Sequence, residues 1–155
     1  MAMAINYREG DGVIQSNTRT LEMYIRAAEL GHAPAYFEIA MHYVRGIVVG
    51  QDATKALEYF EVSAKKGDLE AHRALASYEE IHGNNQKSVN HLKVAANAGD
   101  KDSMDDLMKA YKLKLLPKEV LNQVLRAFQE ANDLMKSKDR DDCRESMVRY
   151  NDRHG

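Results

Sequence analysis

The chain has 155 residues, of which 44% are apolar and 30% are charged, a composition typical of a soluble globular or repeat protein of one domain's length. Its 22 basic and 24 acidic residues give a formal net charge of -2, which does not favour binding to nucleic acid or to an anionic membrane. The single cysteine, Cys143, excludes an internal disulfide and is typical of a reducing compartment. No apolar stretch approaches the length of a membrane span, and the first residues lack a signal-peptide pattern. We therefore expect an intracellular, cytoplasmic protein.

One phrase occurs three times along the chain: an alanine-rich run that closes on a glycine, at Gly31, Gly67 and Gly99. The intervals of 36 and 32 residues between these glycines are typical of stacked helical repeats. Apolar residues recur at spacings of three, four and seven around each glycine, which predicts two amphipathic helices per repeat. Glycine ends a helix readily because it adopts the left-handed conformation without a Cβ penalty. The sequence therefore predicts an all-α solenoid of helix pairs.

The elements are predicted in chain order as follows. The first eight residues form the end of a helix, a loop follows over 8–15, and the next helix covers about 18–30. Further helices are predicted at about 33–45, 53–66, 69–81, 86–98 and 101–113. Pro117 starts a longer last helix that runs to about residue 136, because proline is well tolerated at a first helical position. The charged residues beyond it are expected either to fray or to extend as solvated helix.

The side chains on the helix faces divide into small and large. Alanines such as Ala28, Ala64 and Ala96 lie where neighbouring helices are predicted to meet, which lets the helix axes approach closely. Tyr24, Phe60 and Leu92 are predicted to fill the wider gaps in successive repeats. A single helix pair does not offset its ordering entropy, so we expect stability to come from stacking.

Two stretches resemble the hallmark of the Sel-one-like repeat family. The first runs from Tyr43 through Gly46, Val49 and Asp52 to Ala56, and the second is Ala-Lys-Lys-Gly-Asp-Leu-Glu-Ala at 64–71. The stretch 7–13 repeats the loop phrase, and a third copy over 71–99 has a shortened loop. The tail at 118–137 resembles the closing segment of algal and diatom-type members.

The resemblance implies an α/α superhelix of antiparallel helix pairs, similar to tetratricopeptide repeats. We predict a repeat array over 1–137 and a charged C-terminal tail over 138–155. Within the array we expect a partial copy at about 1–31, full copies at 32–67 and 68–99, and a closing repeat at 100–137. Because the first copy has only the last part of its first helix, an alternative interpretation is that the chain is a fragment of a longer array.

Several residue types raise the question of catalysis or metal binding. None of the six histidines forms the i, i+4 pair with an intervening glutamate that marks a zinc helix. Cys143 lies in a charged tail that would not hold a nucleophile in place. The glycines of the loops lack the lysine-serine ending of a phosphate-binding loop. We therefore predict no catalytic residue, no metal site and no cofactor. The six histidines, which we predict hold no metal, are His32, His42, His72, His82, His91 and His154.

The resemblance implies adaptor work, in which the first helix of each repeat lines a concave groove that binds a protein or peptide. Ala35, Ile39 and Tyr43 define one buried side of the helix at 33–45, and the opposite side is predicted to face this groove. The predicted groove residues are Pro34, Phe37, Met41, Arg45, Glu70, Arg73 and Ser77. An outward phenylalanine and methionine beside an arginine is a mixture enriched at interfaces. Self-association stays open, and the alternatives are a hydrolase built on the same array or a fragment without its own function.

Overall fold

The computed structural model describes the backbone of residues 2–154 and the side chains of residues 12–149. Over this range the chain forms seven α-helices and no β-strand, which confirms the all-α fold class. The helices divide between two compact units, Met1–His82 and Gly83–Gly155. Unit 1 contains α1 (Ala2–Glu29), α2 (Ala33–Arg45), α3 (Ala53–Lys65) and α4 (Leu69–Ile81). Unit 2 contains α5 (Asn85–Asn97), α6 (Lys101–Lys112) and α7 (Lys118–His154).

The helices after the first glycine lie where the apolar periodicity predicts them. The bounds of α2 and α4 agree with the predicted ranges, those of α3 and α6 differ by one residue at one end, and those of α5 differ by one residue at each end. Gly31, Gly67 and Gly99 have φ angles of 86°, 94° and 93°, so each takes the left-handed conformation that ends the preceding helix. The interpretation of these glycines as helix stops is confirmed.

The N-terminal loop prediction is wrong. The stretch 8–15 is part of α1, which continues without interruption from Ala2 to Glu29. A loop between two repeat helices forms because those helices pack against each other. Since α1 is a single helix, no such packing requires a loop at 8–15. Glycine inside a helix costs about 1 kcal/mol relative to alanine but does not forbid the conformation. A Cβ atom added at Gly12 would meet none of the described atoms within 4 Å, so no described side chain packs closely on this turn.

The last helix is longer than predicted. It begins at Lys118, directly after Pro117, whose carbonyl oxygen accepts a hydrogen bond of 3.1 Å from the backbone N–H of Leu121. The apolar spacing ends near residue 136, and α7 continues beyond it to His154. Every described side chain from residue 138 onward is exposed, so this segment is solvated helix, one of the two expected outcomes.

Unit 1 has two hydrophobic clusters that share α2. One joins α1 to α2 through Leu21, Ala28, Ala35 and Ile39. The other joins α2, α3 and α4, and its buried members are Ala40, Ala56, Phe60, Ala64, Ala71 and Leu75. Polar contacts tie the same helices together: the Tyr36 hydroxyl donates to the carbonyl oxygen of Ala28 at 2.7 Å.

A buried serine connects three helices of unit 1. The Ser63 hydroxyl of α3 lies 2.8 Å from the carbonyl oxygen of Ala33 in α2 and 2.7 Å from Oδ2 of Asp68. Asp68 is the N-cap of α4, and its Oδ1 accepts a hydrogen bond from the backbone N–H of Glu70. Because a hydroxyl has one proton, Ser63 donates to one of these two acceptors at a time. This contact fixes the start of α2 and of α4 against the end of α3.

Unit 2 is built on α5, which packs against both α6 and α7. Its buried residues include Leu92, Ala96, Leu107 and Val124. At Gly99 an added Cβ would lie 2.9 Å from Cε of Met135, so α7 passes close to the backbone that ends α5.

Candidate functional site

Helix α2 is buried on two sides rather than one. Ala35 and Ile39 pack towards α1, whereas Ala40, which is fully buried, packs into the cluster with α3 and α4. The predicted buried side is therefore too narrow, because it omits Ala40, whereas Pro34 and Arg45 on the opposite side are exposed. A repeat helix inside a stack contacts both the preceding helix and its own partner, so only a narrow strip of it reaches solvent.

The predicted groove residue Phe37 belongs in part to the core. Its ring lies 5.3 Å from the ring of Phe60, measured between centroids, and it is half-buried. Met41 is also half-buried and packs against the same cluster. This packing corrects the expectation that Phe37 faces an open groove.

The other predicted groove residues lie at or near the surface of unit 1. Pro34 and Arg45 are exposed on α2, and Glu70 and Ser77 are exposed on α4. Arg73 is half-buried, and its guanidinium nitrogen Nη1 lies 3.2 Å from Oε1 of Glu70. Ile81 lies at the position of α4 that corresponds to Arg45 of α2, and 82% of its surface is exposed. We call the set of surface residues Pro34, Met41 and Arg45 of α2 with Glu70, Ser77 and Ile81 of α4 the α2–α4 face. Binding of a partner by the seven predicted residues stays a prediction.

A polar cavity of about 180 Å³ adjoins this face and was missed by the sequence reasoning. Arg45 lines it together with Glu38 and His42 of α2, and α1 contributes Tyr24. The rings of Tyr24 and His42 lie 6.2 Å apart between centroids. The sequence analysis assigned Tyr24 to a gap between helices and gave His42 no role, because it did not consider the space between α1 and α2. The remaining lining residues are Asn17, Thr20 and Ile47.

The loop between α2 and α3 is held by hydrogen bonds and is strained at one residue. The side-chain amide of Gln51 donates to the carbonyl oxygen of Val44 at 2.9 Å, and Nδ1 of His42 lies 3.2 Å from the carbonyl oxygen of Ile47. Val48 has a φ of 73°, which is rare for a β-branched residue. In the loop phrase of the first copy the corresponding position is Gly12.

The groups considered for catalysis or metal binding are distributed as follows. Among the described residues no three or more His, Cys, Asp or Glu side chains come together to hold a metal ion. Cys143 is exposed on α7, and the side chain of His154 lies outside the described residues. No helix in the described part of the chain is both long and apolar enough to span a membrane.

Known proteins share this repeat pattern. The family model described as Sel1 repeat matches residues 1–32, 33–68 and 70–100, which is more than half of the chain. Chitin synthase regulator SKT5 of Saccharomyces cerevisiae is 39% identical over 75 residues, covering 46% of this chain and 11% of that protein. Chitin synthase regulatory factor 2 of Schizosaccharomyces pombe is 32% identical over 81 residues, covering 52% of this chain and 16% of that protein.

A solved structure is similar in fold as well as in sequence. The crystal structure of a Sel1 repeat protein from Oxalobacter formigenes superposes with a TM-score of 0.55 at 26% identity, covering 78% of this chain and 50% of that one. The chain thus spans half or less of the length of these three proteins. They are fungal and bacterial, so the resemblance of the tail to algal and diatom-type members gains no support from them.

Proposed function

Because the chain belongs to the Sel1 repeat family, we propose that it is a protein-interaction scaffold whose α2–α4 face binds a segment of a regulated partner protein. Family membership and the two regulator-named relatives support a repeat scaffold that acts through protein contacts rather than through its own chemistry. The finer part of the proposal is the surface. We assign the binding surface to α2 and α4 of unit 1, which are corresponding helices of successive repeats.

The observation that carries this proposal is the composition of the α2–α4 face. Packing on both sides of α2 leaves Pro34, Arg45 and part of Met41 in contact with solvent. On α4, 82% of the surface of Ile81 is exposed, so the rest of the chain covers less than a fifth of this side chain. Methionine and arginine, which lie one turn apart here at Met41 and Arg45, are enriched at protein interfaces.

The names of the two yeast relatives assign regulation of a chitin synthase to those proteins. By analogy, we place this chain among proteins that regulate an enzyme by contact, with the repeats holding the enzyme or a protein associated with it. The match covers 11% and 16% of the lengths of those regulators, so the analogy concerns how the repeats act and not the rest of those proteins.

The proposal is tested by affinity capture from the native cell with quantitative mass spectrometry. Arg45→Glu and Ser77→Arg change exposed positions of the α2–α4 face, and Glu58→Lys changes an exposed position of α3 as a matched control. Phe37→Ala is unsuitable here because it also removes the contact with Phe60. We expect the first two variants to lose the same captured proteins and the control to retain them, with unchanged helical circular dichroism for all three. Retention of every captured protein by both face variants would show that the assigned surface is wrong.

A further inference from the structure

Unit 2 carries a basic and apolar surface that the groove prediction does not include. From Leu107 to Lys118 the sequence contains four lysines and no acidic residue. Lys109 is paired with Asp106, at 2.7 Å between Nζ and Oδ1. Lys112, Lys114 and Lys118 are exposed and make no ion pair among the described residues.

Apolar side chains lie among these lysines. Leu113 is 69% exposed, and Tyr111 and Leu115 are 36% and 38% exposed. We call the surface formed by Tyr111, Lys112, Leu113, Lys114 and Leu115 the basic–apolar patch. The net charge of the whole chain conceals this patch, because the acidic residues of α6 lie in its first half and Lys109 and Lys112 in its second half.

The basic–apolar patch surrounds a cavity of about 610 Å³. Leu116, which is buried, and Pro117 contribute apolar lining, and Gln86 of α5 contributes an amide. Lys112 and Lys114 line the same cavity. This concavity is open to solvent, which suits one side chain of a bound segment rather than an enclosed small ligand.

Lys114 is held in a conformation that costs free energy. The backbone N–H of Lys114 donates to the carbonyl oxygen of Tyr111 and that of Leu115 to Ala110, at 2.9 and 3.0 Å. The same pair of hydrogen bonds closes α3, where Gly67 donates to Ala64 and Asp68 to Ser63. Lys114, with a φ of 59°, therefore occupies the left-handed position that glycine occupies at the ends of α1, α3 and α5. A left-handed non-glycine residue at a cavity rim is an observation that motivates a functional assignment.

We propose that the basic–apolar patch is a second docking surface, which binds an acidic peptide segment of a partner protein that carries an apolar anchor residue. The anchor enters the cavity against Leu115, Leu116 and Pro117, and its flanking carboxylates pair with Lys112 and Lys114. Charge complementarity selects an acidic partner, since no carboxylate among the described residues pairs with these two lysines. Glycine would occupy this left-handed position with less strain. We attribute the presence of lysine there to its ammonium group, which contributes to binding.

A peptide fits this surface better than a lipid bilayer does. The apolar residues Leu115 and Leu116 line a concavity between lysines, and a planar bilayer surface would contact the rim rather than the lining. A peptide side chain reaches the lining while its neighbours stay at the rim. The proposal uses residues of unit 2 alone, so it holds or fails independently of the α2–α4 face.

The test is selection of a random dodecapeptide display library on the chain, followed by measurement of Kd for the most enriched synthetic peptide by fluorescence anisotropy. We expect enriched peptides with Asp or Glu on both sides of a Leu, Ile or Phe. Lys112→Glu combined with Lys114→Glu should weaken binding by tenfold or more, about the loss that removal of charge-assisted contacts produces. Lys138→Glu, at an exposed position of α7, should leave Kd unchanged.

The Lys114→Gly variant distinguishes a role of Lys114 in peptide binding from its effect on stability. It should weaken peptide binding by roughly 3- to 10-fold, since one charge-assisted contact is lost, and it should raise the denaturation midpoint because the left-handed strain is removed. Improved stability with unchanged Kd would show that Lys114 has no binding role and would overturn its assignment. Enriched peptides that lack acidic residues, or that bind the double variant as well as the parent chain, would overturn the proposal. It would also be overturned if no peptide were enriched and the double variant instead lost binding to phosphatidylserine vesicles.

Discussion

The ring of Phe37 in α2 lies 5.3 Å from the ring of Phe60 in α3, measured between centroids, with the ring planes inclined at 54°. Tilted pairs at this separation are favoured by the charge distribution of aromatic rings. The contact is part of the cluster that joins α2, α3 and α4 of unit 1. Phe37 therefore supports the helix that presents Arg45 and Pro34, and Phe60 lies at the centre of the unit.

Truncation of Phe60 should destabilise the chain strongly. Phe60 is 94% buried in the cluster of unit 1, so Phe60→Ala removes its contacts and leaves a cavity that the surrounding helices fill only in part. We expect a loss of about 3–5 kcal/mol in the free energy of unfolding, measured by chemical denaturation. Leu30→Ala, at a residue 89% exposed, is the control and should change this free energy by less than about 0.5 kcal/mol. A loss under about 1 kcal/mol for Phe60→Ala would contradict the assigned packing.

Two fully buried serines should respond in opposite directions to substitution by alanine. Ser63→Ala removes the hydrogen bond to Ala33 or Asp68 and should lower the free energy of unfolding by about 1–2 kcal/mol. Ser103 has no hydrogen-bond partner for its Oγ within the described residues, so Ser103→Ala should raise that free energy by about 1 kcal/mol. Thermal and urea denaturation of both variants would check the pair. An unchanged free energy for Ser63→Ala would mean that its contact does not stabilise unit 1, and a loss for Ser103→Ala would contradict the assignment of its hydroxyl as an uncompensated buried group.

The close approach of α7 to the end of α5 should be visible in a pair of glycine variants. Gly67 and Gly99 have nearly the same φ, 94° and 93°, so alanine at either position introduces similar backbone strain of about 1–2 kcal/mol. An added Cβ has no neighbour within 4 Å at Gly67 but lies 2.9 Å from Met135 at Gly99. Gly99→Ala should therefore be the more destabilising of the two in denaturant titrations. The excess should fall when Met135→Ala is added. An equal loss for both glycines would contradict this packing of α7.

Replacement of Val48 by glycine should stabilise unit 1. Its φ of 73° costs a β-branched residue about 1–3 kcal/mol, which exceeds the added backbone entropy of glycine in the unfolded chain. We expect Val48→Gly to raise the free energy of unfolding by about 1 kcal/mol in chemical denaturation. Val44→Gly, within α2, should instead lower it by about 1 kcal/mol. A loss of stability for Val48→Gly would mean that the Val48 side chain contributes more by packing than its backbone conformation costs.

Sequence periodicity predicted the helices from Ala33 to Lys112 because each amphipathic face repeats at helical spacing and each closing glycine marks a stop. It failed at 8–15, since the loop expected there depends on a partner helix and not on the local residues. It failed for Phe37 because a helical wheel with one buried side does not describe a helix packed on two sides. It also missed the left-handed Lys114, since glycine is the sequence signal for that conformation.

The central claim is that the α2–α4 face contacts a partner protein, and site-specific photo-crosslinking in the native cell tests it most directly. A photo-reactive amino acid is introduced at Ser77 or at Pro34, and at Glu58 as a control; all three positions are exposed. We predict that Ser77 and Pro34 crosslink to the same protein and that Glu58 does not. Crosslinks from Glu58 alone, or none from Ser77 and Pro34 while the chain still captures its partner, would contradict the claim.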